Sequence, residues 1–386
     1  VRPPFTALHV VQPGDGGVAR VVTDVVGAHV ARGMRVAVAC PPGTPLAAAA
    51  RARGAEVYPW RAGRDPGPGV VAESRDVARL VELVRPDLVH AHSAKAGLAA
   101  RMAVRGRVPT VYQPHAWSFE AVDGVTARLA RRWERWAARW TDRVICVSEA
   151  ERRRGVQAGV RASWTVVHNG VDTGRFAAAA SGAERAALRA ALLPGVAATA
   201  PVVVCVGRLC RQKGQDVLLR SWAAVAERVP QARLVLVGDG PSADVLRGAA
   251  PPSVLFAGAV ADAAPWYRAA DLAVLPSRWE GMALAPLEAM ASGRPVLLTD
   301  VDGARESLPP GHAAHCLVPP GDADALAAAL ARLLRRPVLR QALGRQARQH
   351  VRTRFDVRRA GAEIADVYRE VAAAPRHREL GEPITQ

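Results

Sequence analysis

Lysine is almost missing from this chain of 386 residues: Lys95 and Lys213 stand alone among 52 basic side chains, and the rest are arginines. Acidic residues number 35, which leaves a formal net charge of +17. A balance of that kind attracts polyanions. Alanine, arginine and glycine are abundant together, however, so part of the excess reads as a compositional bias scattered over a solvated surface. An anionic membrane surface stays open as a peripheral partner, and nucleic acid is not an expected one. Cysteine is also scarce. The five thiols, Cys40, Cys146, Cys205, Cys210 and Cys316, are odd in number and widely spread, with neither a Cys-x-x-Cys pair nor a Cys/His ligand spacing. That pattern fits a reducing compartment, and the expected location is cytoplasmic. No run of about 18 apolar residues exists to span a bilayer, and no apolar stretch follows a basic start at the N-terminus.

What is present is apolar, regular and long enough for two domains. Half of the residues are hydrophobic. Short β-branched runs alternate with longer Ala/Arg/Leu stretches of helical period, the pattern of β-α units on a parallel sheet. One series of strands is expected at residues 7–11, 35–40, 87–91, 110–112, 143–147 and 164–167. A second is expected at 201–206, 233–237, 254–257, 272–275, 295–298 and 315–318. The division that follows is an N-terminal domain over 1–175, a connector over 176–200, a second domain over 201–355, and a tail over 356–386. The tail carries Val357, Ile364, Val367, Tyr368 and Val371 at helical spacing. After Pro375 it turns polar and is expected to fray.

The strongest chemistry lies in the second half. The run VVVCVGRLCRQKGQD at 202–216 is a strand that stops at Gly207 and is followed by Arg208, Lys213 and Gly214. A diphosphate needs cations and unpaired backbone N–H groups, and the loop at a strand's C-terminal end supplies both. Taken alone, such a loop reads equally as a basic turn. Its partner is SRWEGMALAPLEAMASGRPV at 277–296, where Glu280 and Glu288 stand eight residues apart. Gly281 permits close backbone approach, and Met282, Ala283 and Leu284 bring N–H groups to a helix start. Glu288 falls one turn inside that helix, in reach of ribose hydroxyls.

At this point the chain resembles the retaining GT-B glycosyltransferases of glycosyltransferase family 4, also called group 1. The likeness runs through GDGGVAR at 14–20, HAWSFE at 115–120, VICVSEAER at 144–152, VVHNGVDTGRF at 166–176 and LVLVGDGP at 234–241, besides the two segments above. It implies an α/β fold of two Rossmann-like domains with the site in the cleft between them. It implies transfer of a sugar from a nucleotide diphosphate donor, UDP by family habit, with retained anomeric configuration. By resemblance, Arg208 and Lys213 hold the diphosphate, Glu288 the ribose, Glu280 and His115 the transferred sugar, and Val260 the base through its main chain. Gly16 and Gly17, with the backbone at Gly281, Met282, Ala283 and Leu284, meet phosphate and sugar. Ala283 stands where many members carry Gly, Ser or Pro. No cofactor or metal is implied, and the match of Asp300-Val-Asp302 to the family's loop argues against manganese there.

The acceptor side is less specific. His90 and His92 have the spacing of metal ligands, but no third ligand lies nearby in sequence, so His92, Ser93 and Lys95 read as a polar wall for a glycan or lipid-linked acceptor. HSAKAG with HAWSF resembles members that build exopolysaccharide or lipopolysaccharide. Over residues 125–142, Leu129, Trp133, Trp136 and Trp140 share one helical stripe interleaved with Arg128, Arg131, Arg132, Arg135 and Arg139. Such a helix either buries its tryptophans against the domain or lies on a membrane. Two rival functions remain open: a nucleotide-sugar epimerase or hydrolase of the same fold, and a non-catalytic protein of the membrane surface.

Overall fold

The computed structural model describes residues 4–63, 67 and 69–374; the polar end expected to fray after Pro375 lies outside them. Two parallel sheets organise the chain. The first contains β1 (Thr6–Val11), β2 (Arg35–Cys40), β3 (Glu56–Pro59), β4 (Leu88–His92), β5 (Thr110–Gln113), β6 (Arg143–Cys146) and β7 (Trp164–Val166). The second contains β8 (Val202–Val206), β9 (Arg233–Val237), β10 (Val254–Gly258), β11 (Leu272–Leu275), β12 (Val296–Thr299) and β13 (Leu317–Val318). The strand orders are 3-2-1-4-5-6-7 and 10-9-8-11-12-13. Each order reverses direction once, between β1 and β4 and between β8 and β11, and ligands of open α/β sheets gather at the C-terminal strand ends beside such a reversal. Central strands buried on both faces read as continuous apolar runs; β8, Val-Val-Val-Cys-Val, is one of them.

The linking segment contains the helix Gly182–Leu192. It is fixed by Arg185 and Arg189, whose guanidiniums lie 2.6 and 2.5 Å from the two oxygens of Asp271. The chain crosses between domains twice, and the crossings touch. Val171 N–H donates to Phe355 C=O at 2.8 Å, and Val357 N–H to Val171 C=O at 3.2 Å. A β-carbon on Gly170 would stand 2.5 Å from Val357 Cα, so only glycine allows this approach. Beyond the second crossing, the helix Val357–Ala373 lies on the first sheet. Its Ile364, Val367, Tyr368 and Val371 share a core with Ala7, Leu88, Val111 and Ile145.

Candidate active site

The segments singled out for donor chemistry follow the C-terminal ends of strands: Gly16 and Gly17 after β1, Arg208 and Lys213 after β8, and Glu280 after β11 stand at the two reversals, whereas His115 follows β5 and Val260 follows the edge strand β10. After β8, Lys213 ends a short turn and Gly214 takes the left-handed conformation, φ +67°. A β-carbon there would fall 2.0 Å from Pro276 C=O, so the turn closes on the loop after β11 only because residue 214 is glycine. The two loops are laced together. Arg278 N–H donates to Gln212 C=O at 2.8 Å, Gln212 Nε2 donates to Trp279 C=O at 3.1 Å, and Arg278 forks onto Asp216 at 2.8 and 2.6 Å. Those guanidinium bonds hold the Asp216 carboxyl down at about 2.

Within this frame Lys213 Nζ donates to Glu280 Oε1 at 2.6 Å, and Ser277 Oγ donates to the same oxygen at 2.6 Å. Arg208 is exposed, and among the described residues its guanidinium is unpaired. The helix Leu284–Ala291 begins at Ala283 with no side-chain cap, so its first N–H groups and its positive dipole end are open to an anion. The Met282 carbonyl is engaged by Asn169 Nδ2 at 2.7 Å. Glu288 lies one turn in, half-buried, and accepts from Tyr267 Oη at 3.1 Å. Burial raises its carboxyl, and the nearby Arg20 cation of the first domain opposes that shift. Val260 is half-buried in the loop after β10.

The first domain meets this frame at Gly281, where a β-carbon would stand 2.9 Å from Val147 Cγ2 and 3.1 Å from both Ala116 N and Glu151 Oε1. His115 is therefore next to the glycine turn. Its φ is +57° and that of Ala116 is +110°, both left-handed and neither glycine. Such residues persist only where their surroundings over-determine them. Glu151 supplies the constraint, accepting from Ala116 N–H at 2.6 Å and Val147 N–H at 2.7 Å. It is fully enclosed, and burial lifts its carboxyl to about 7. Sequence reading gave Glu151 no role. Its signal is the Ser148-x-x-Glu151 pattern of a helix start, with Ser148 Oγ accepting from Glu151 N–H at 3.0 Å. Gly16 and Gly17 open the helix Gly16–Val30, which has no side-chain cap and no acidic residue in its first turn.

A second missed residue is Glu306, on the helix Ala304–Ser307. Its carboxylate crosses to the first domain and accepts from Glu149 N–H at 2.7 Å, Ala150 N–H at 2.8 Å and His168 Nε2 at 3.1 Å. Beside it Arg154 pairs with Asp302 at 3.1 Å. Asp300 pairs with Arg305 at 2.5 Å, so the Asp-x-Asp carboxylates are each held by an arginine.

The acceptor wall needs correcting. Lys95 does not front the cleft: its ammonium is buried and lies 2.7 Å from Glu73 Oε2. His92 is likewise fully enclosed and faces inward. Ser93 alone of the three is half-buried at the strand end. The third histidine missing from the sequence pattern also appears, because β1 brings His9 beside β4 in register with His90. Ring nitrogens of His9, His90 and His92 all lie within 4.8 Å of one another.

The paired parallel sheets, the reversal points and the cationic loop facing an uncapped helix define a GT-B glycosyltransferase. Residues 15–175 match Glycosyltransferase Family 4 and residues 200–336 match Glycosyl transferases group 1. The chain is 34% identical over 318 residues to a D-inositol 3-phosphate glycosyltransferase of Saccharomonospora viridis, covering 75% of this chain and 71% of that one. It is 34% identical over 249 residues to the lipopolysaccharide core biosynthesis mannosyltransferase LpcC of Rhizobium leguminosarum, covering 61% and 66%. Anabaena HepE, solved in complex with UDP-glucose, superposes with a TM-score of 0.82 at 26% identity, covering 95% of this chain and 100% of that one. The chain belongs to the group 1, family 4 glycosyltransferases, and is an enzyme of hexosyltransferase type.

Proposed function

We propose that this enzyme transfers a sugar from a UDP-sugar to a glycan or lipid-linked acceptor, with retention of configuration and without a metal ion. The observation that carries the reading is the Lys213–Glu280 pair at 2.6 Å, with Glu280 and the open helix start at Ala283 lining one cavity and exposed Arg208 on the same loop after β8 as Lys213. When the anomeric C–O bond breaks, negative charge collects on the departing phosphate, and fixed cations and N–H dipoles stabilise it without reorganising. Lys213 is already held by Glu280, so one ammonium can bridge the sugar-binding carboxylate and the diphosphate. The acceptor oxygen attacks from the face the phosphate leaves, and its proton passes to a phosphate oxygen. Similarity to a UDP-glucose-binding neighbour supports the base, and similarity to a lipopolysaccharide mannosyltransferase supports the acceptor class. The engagement of Asp300 and Asp302 by arginines supports a role other than metal binding.

A cytoplasmic, membrane-peripheral setting is part of the proposal. No helix among the described residues is long and apolar enough to cross a membrane. The helix Gly124–Ala137 nevertheless leaves Val125 and Leu129 each 61% exposed and Trp136 43% exposed, amid exposed Arg128, Arg131 and Arg132. Apolar and cationic groups so mixed suit an anionic bilayer surface. The deciding assay follows the product's anomeric proton by NMR after transfer from UDP-sugar in excess EDTA. A retained α-linkage formed in chelator agrees with the proposal. An inverted product, or turnover restored only by manganese, refutes it.

A further inference from the structure

We infer that His92 is a positioning residue: the chain of imidazoles His9, His92 and His115 fixes which ring nitrogen of His115 carries its proton, and so what His115 offers the donor sugar. The inference rests on the reading of His115 as a sugar-site residue. On the face of the first sheet covered by the helices Gly16–Val30 and Val357–Ala373, His9 Nδ1 lies 3.0 Å from His92 Nε2, and His92 Nδ1 lies 3.1 Å from His115 Nε2. The rings are near-parallel, at 12° and 23°. His9 and His92 are wholly enclosed. Burial holds His9 and His115 at about 3 and His92 well below its ordinary value, so all three are neutral and each carries one proton.

Three neutral rings joined by two N···N contacts have only two consistent patterns. If His92 is protonated at Nδ1 it donates to His115 Nε2, which puts the His115 proton on Nδ1, and its own Nε2 must accept from His9 Nδ1–H. If His92 is protonated at Nε2, every ring carries Nε2–H and donation runs toward the core. The inner end decides between them. Among the described residues, His9 Nε2 is buried without a partner. The core-directed pattern leaves an orphaned N–H there, whereas the cleft-directed one leaves only a bare lone pair, and buried N–H groups without acceptors are rare. His115 is thereby held with Nε2 as acceptor and Nδ1–H as the donor it can present to a sugar oxygen.

A metal ion on His9, His90 and His92 is the competing use of this cluster. It would have to displace the His9–His92 contact at 3.0 Å.

The experiment reads the ring nitrogens of His115 by 15N NMR, alongside steady-state transfer, in the full-length protein, His92→Asn and His92→Leu. Asparagine keeps an N–H near the position of Nδ1. The wild type should show Nδ1–H, Asn should preserve both that state and kcat, and Leu should give mixed tautomers with kcat down about tenfold at similar donor KM. An Nε2–H wild type, a Leu variant with unchanged tautomer and kcat, or one equivalent of bound zinc lost in either variant would overturn the inference. Should Leu fail to fold, the wild-type spectrum and the Asn variant still decide. Undiminished transfer by His115→Ala would instead refute the sugar-site reading, and is told apart because the spectrum needs no turnover.

Discussion

Replacing His9 with phenylalanine should flatten the acid limb of the stability curve by a calculable amount. His9 faces His29 of the helix Gly16–Val30, His90 and His92 of β4, and Tyr368 of the C-terminal helix. Burial, and secondarily the nearby His29, lowers its pKa from 6.5 to about 3. As pH falls below 6.5 the unfolded chain takes up a proton that the folded chain refuses until about 3, so stability drops across that window and is whole above it. At about 1.4 kcal/mol per pH unit, the loss from this one ring reaches about 2 kcal/mol by pH 5. Glu151 acts in the opposite sense. Its folded value near 7, against 4.5 for the ordinary group, adds about 2 kcal/mol between pH 7 and 5. A single curve therefore mixes these effects with those of the other enclosed imidazoles, His29, His90, His92 and His115, and the difference between variant and wild type isolates His9. Urea unfolding at pH 7 and pH 5 is the assay, and His9→Phe should lose about 2 kcal/mol less than wild type over that interval. Parallel losses would show that position 9 does not hold a neutral, enclosed imidazole.

Three further outcomes follow from the site. Gly281→Ala places a methyl 2.9 Å from Val147 and 3.1 Å from the Ala116 nitrogen, so kcat should fall by about tenfold or more as the His115 loop is displaced, with a lowered unfolding midpoint from overpacking of about 1–3 kcal/mol. Glu288→Ala should raise the donor KM about tenfold through a lost charged hydrogen bond while leaving kcat nearly unchanged, as read by steady-state kinetics. Leu129→Ser combined with Trp136→Ser should abolish co-sedimentation with anionic phosphatidylglycerol vesicles and spare transfer to a soluble acceptor; undiminished sedimentation would remove the membrane role of that helix.

Much of the fold was legible because parallel strands buried on both faces spell nearly continuous apolar runs, as at β8 and β12. β3 escaped notice: Glu56-Val-Tyr-Pro is a four-residue edge strand, half exposed, with neither the run nor the alternation that marks a strand. In the second domain, Arg208, Lys213, Glu280 and Glu288 could be singled out because glycine turns and strand ends mark where an α/β sheet leaves backbone N–H groups open. Lys95 and His92 were misjudged for a reason no local pattern reveals. Lys95 is claimed by Glu73 on the helix Val70–Val84, and the face of β4 carrying His92 is sealed by a helix that begins at Val357. The imidazole chain joins residues 83 and 23 positions apart, and Glu306 reaches Glu149 across 157. Contacts of that separation come from topology.

The most direct measurement is a thermal-shift titration of the protein with UDP-glucose in excess EDTA, alongside Arg208→Ala and Lys213→Ala. A ligand bound only by the folded state raises stability by about 2.7 kcal/mol at a hundredfold excess over its dissociation constant. The wild type should show that rise in chelator, and both substitutions should largely abolish it. A wild-type protein indifferent to sugar nucleotides, or one that responds only after manganese is added, would contradict the account.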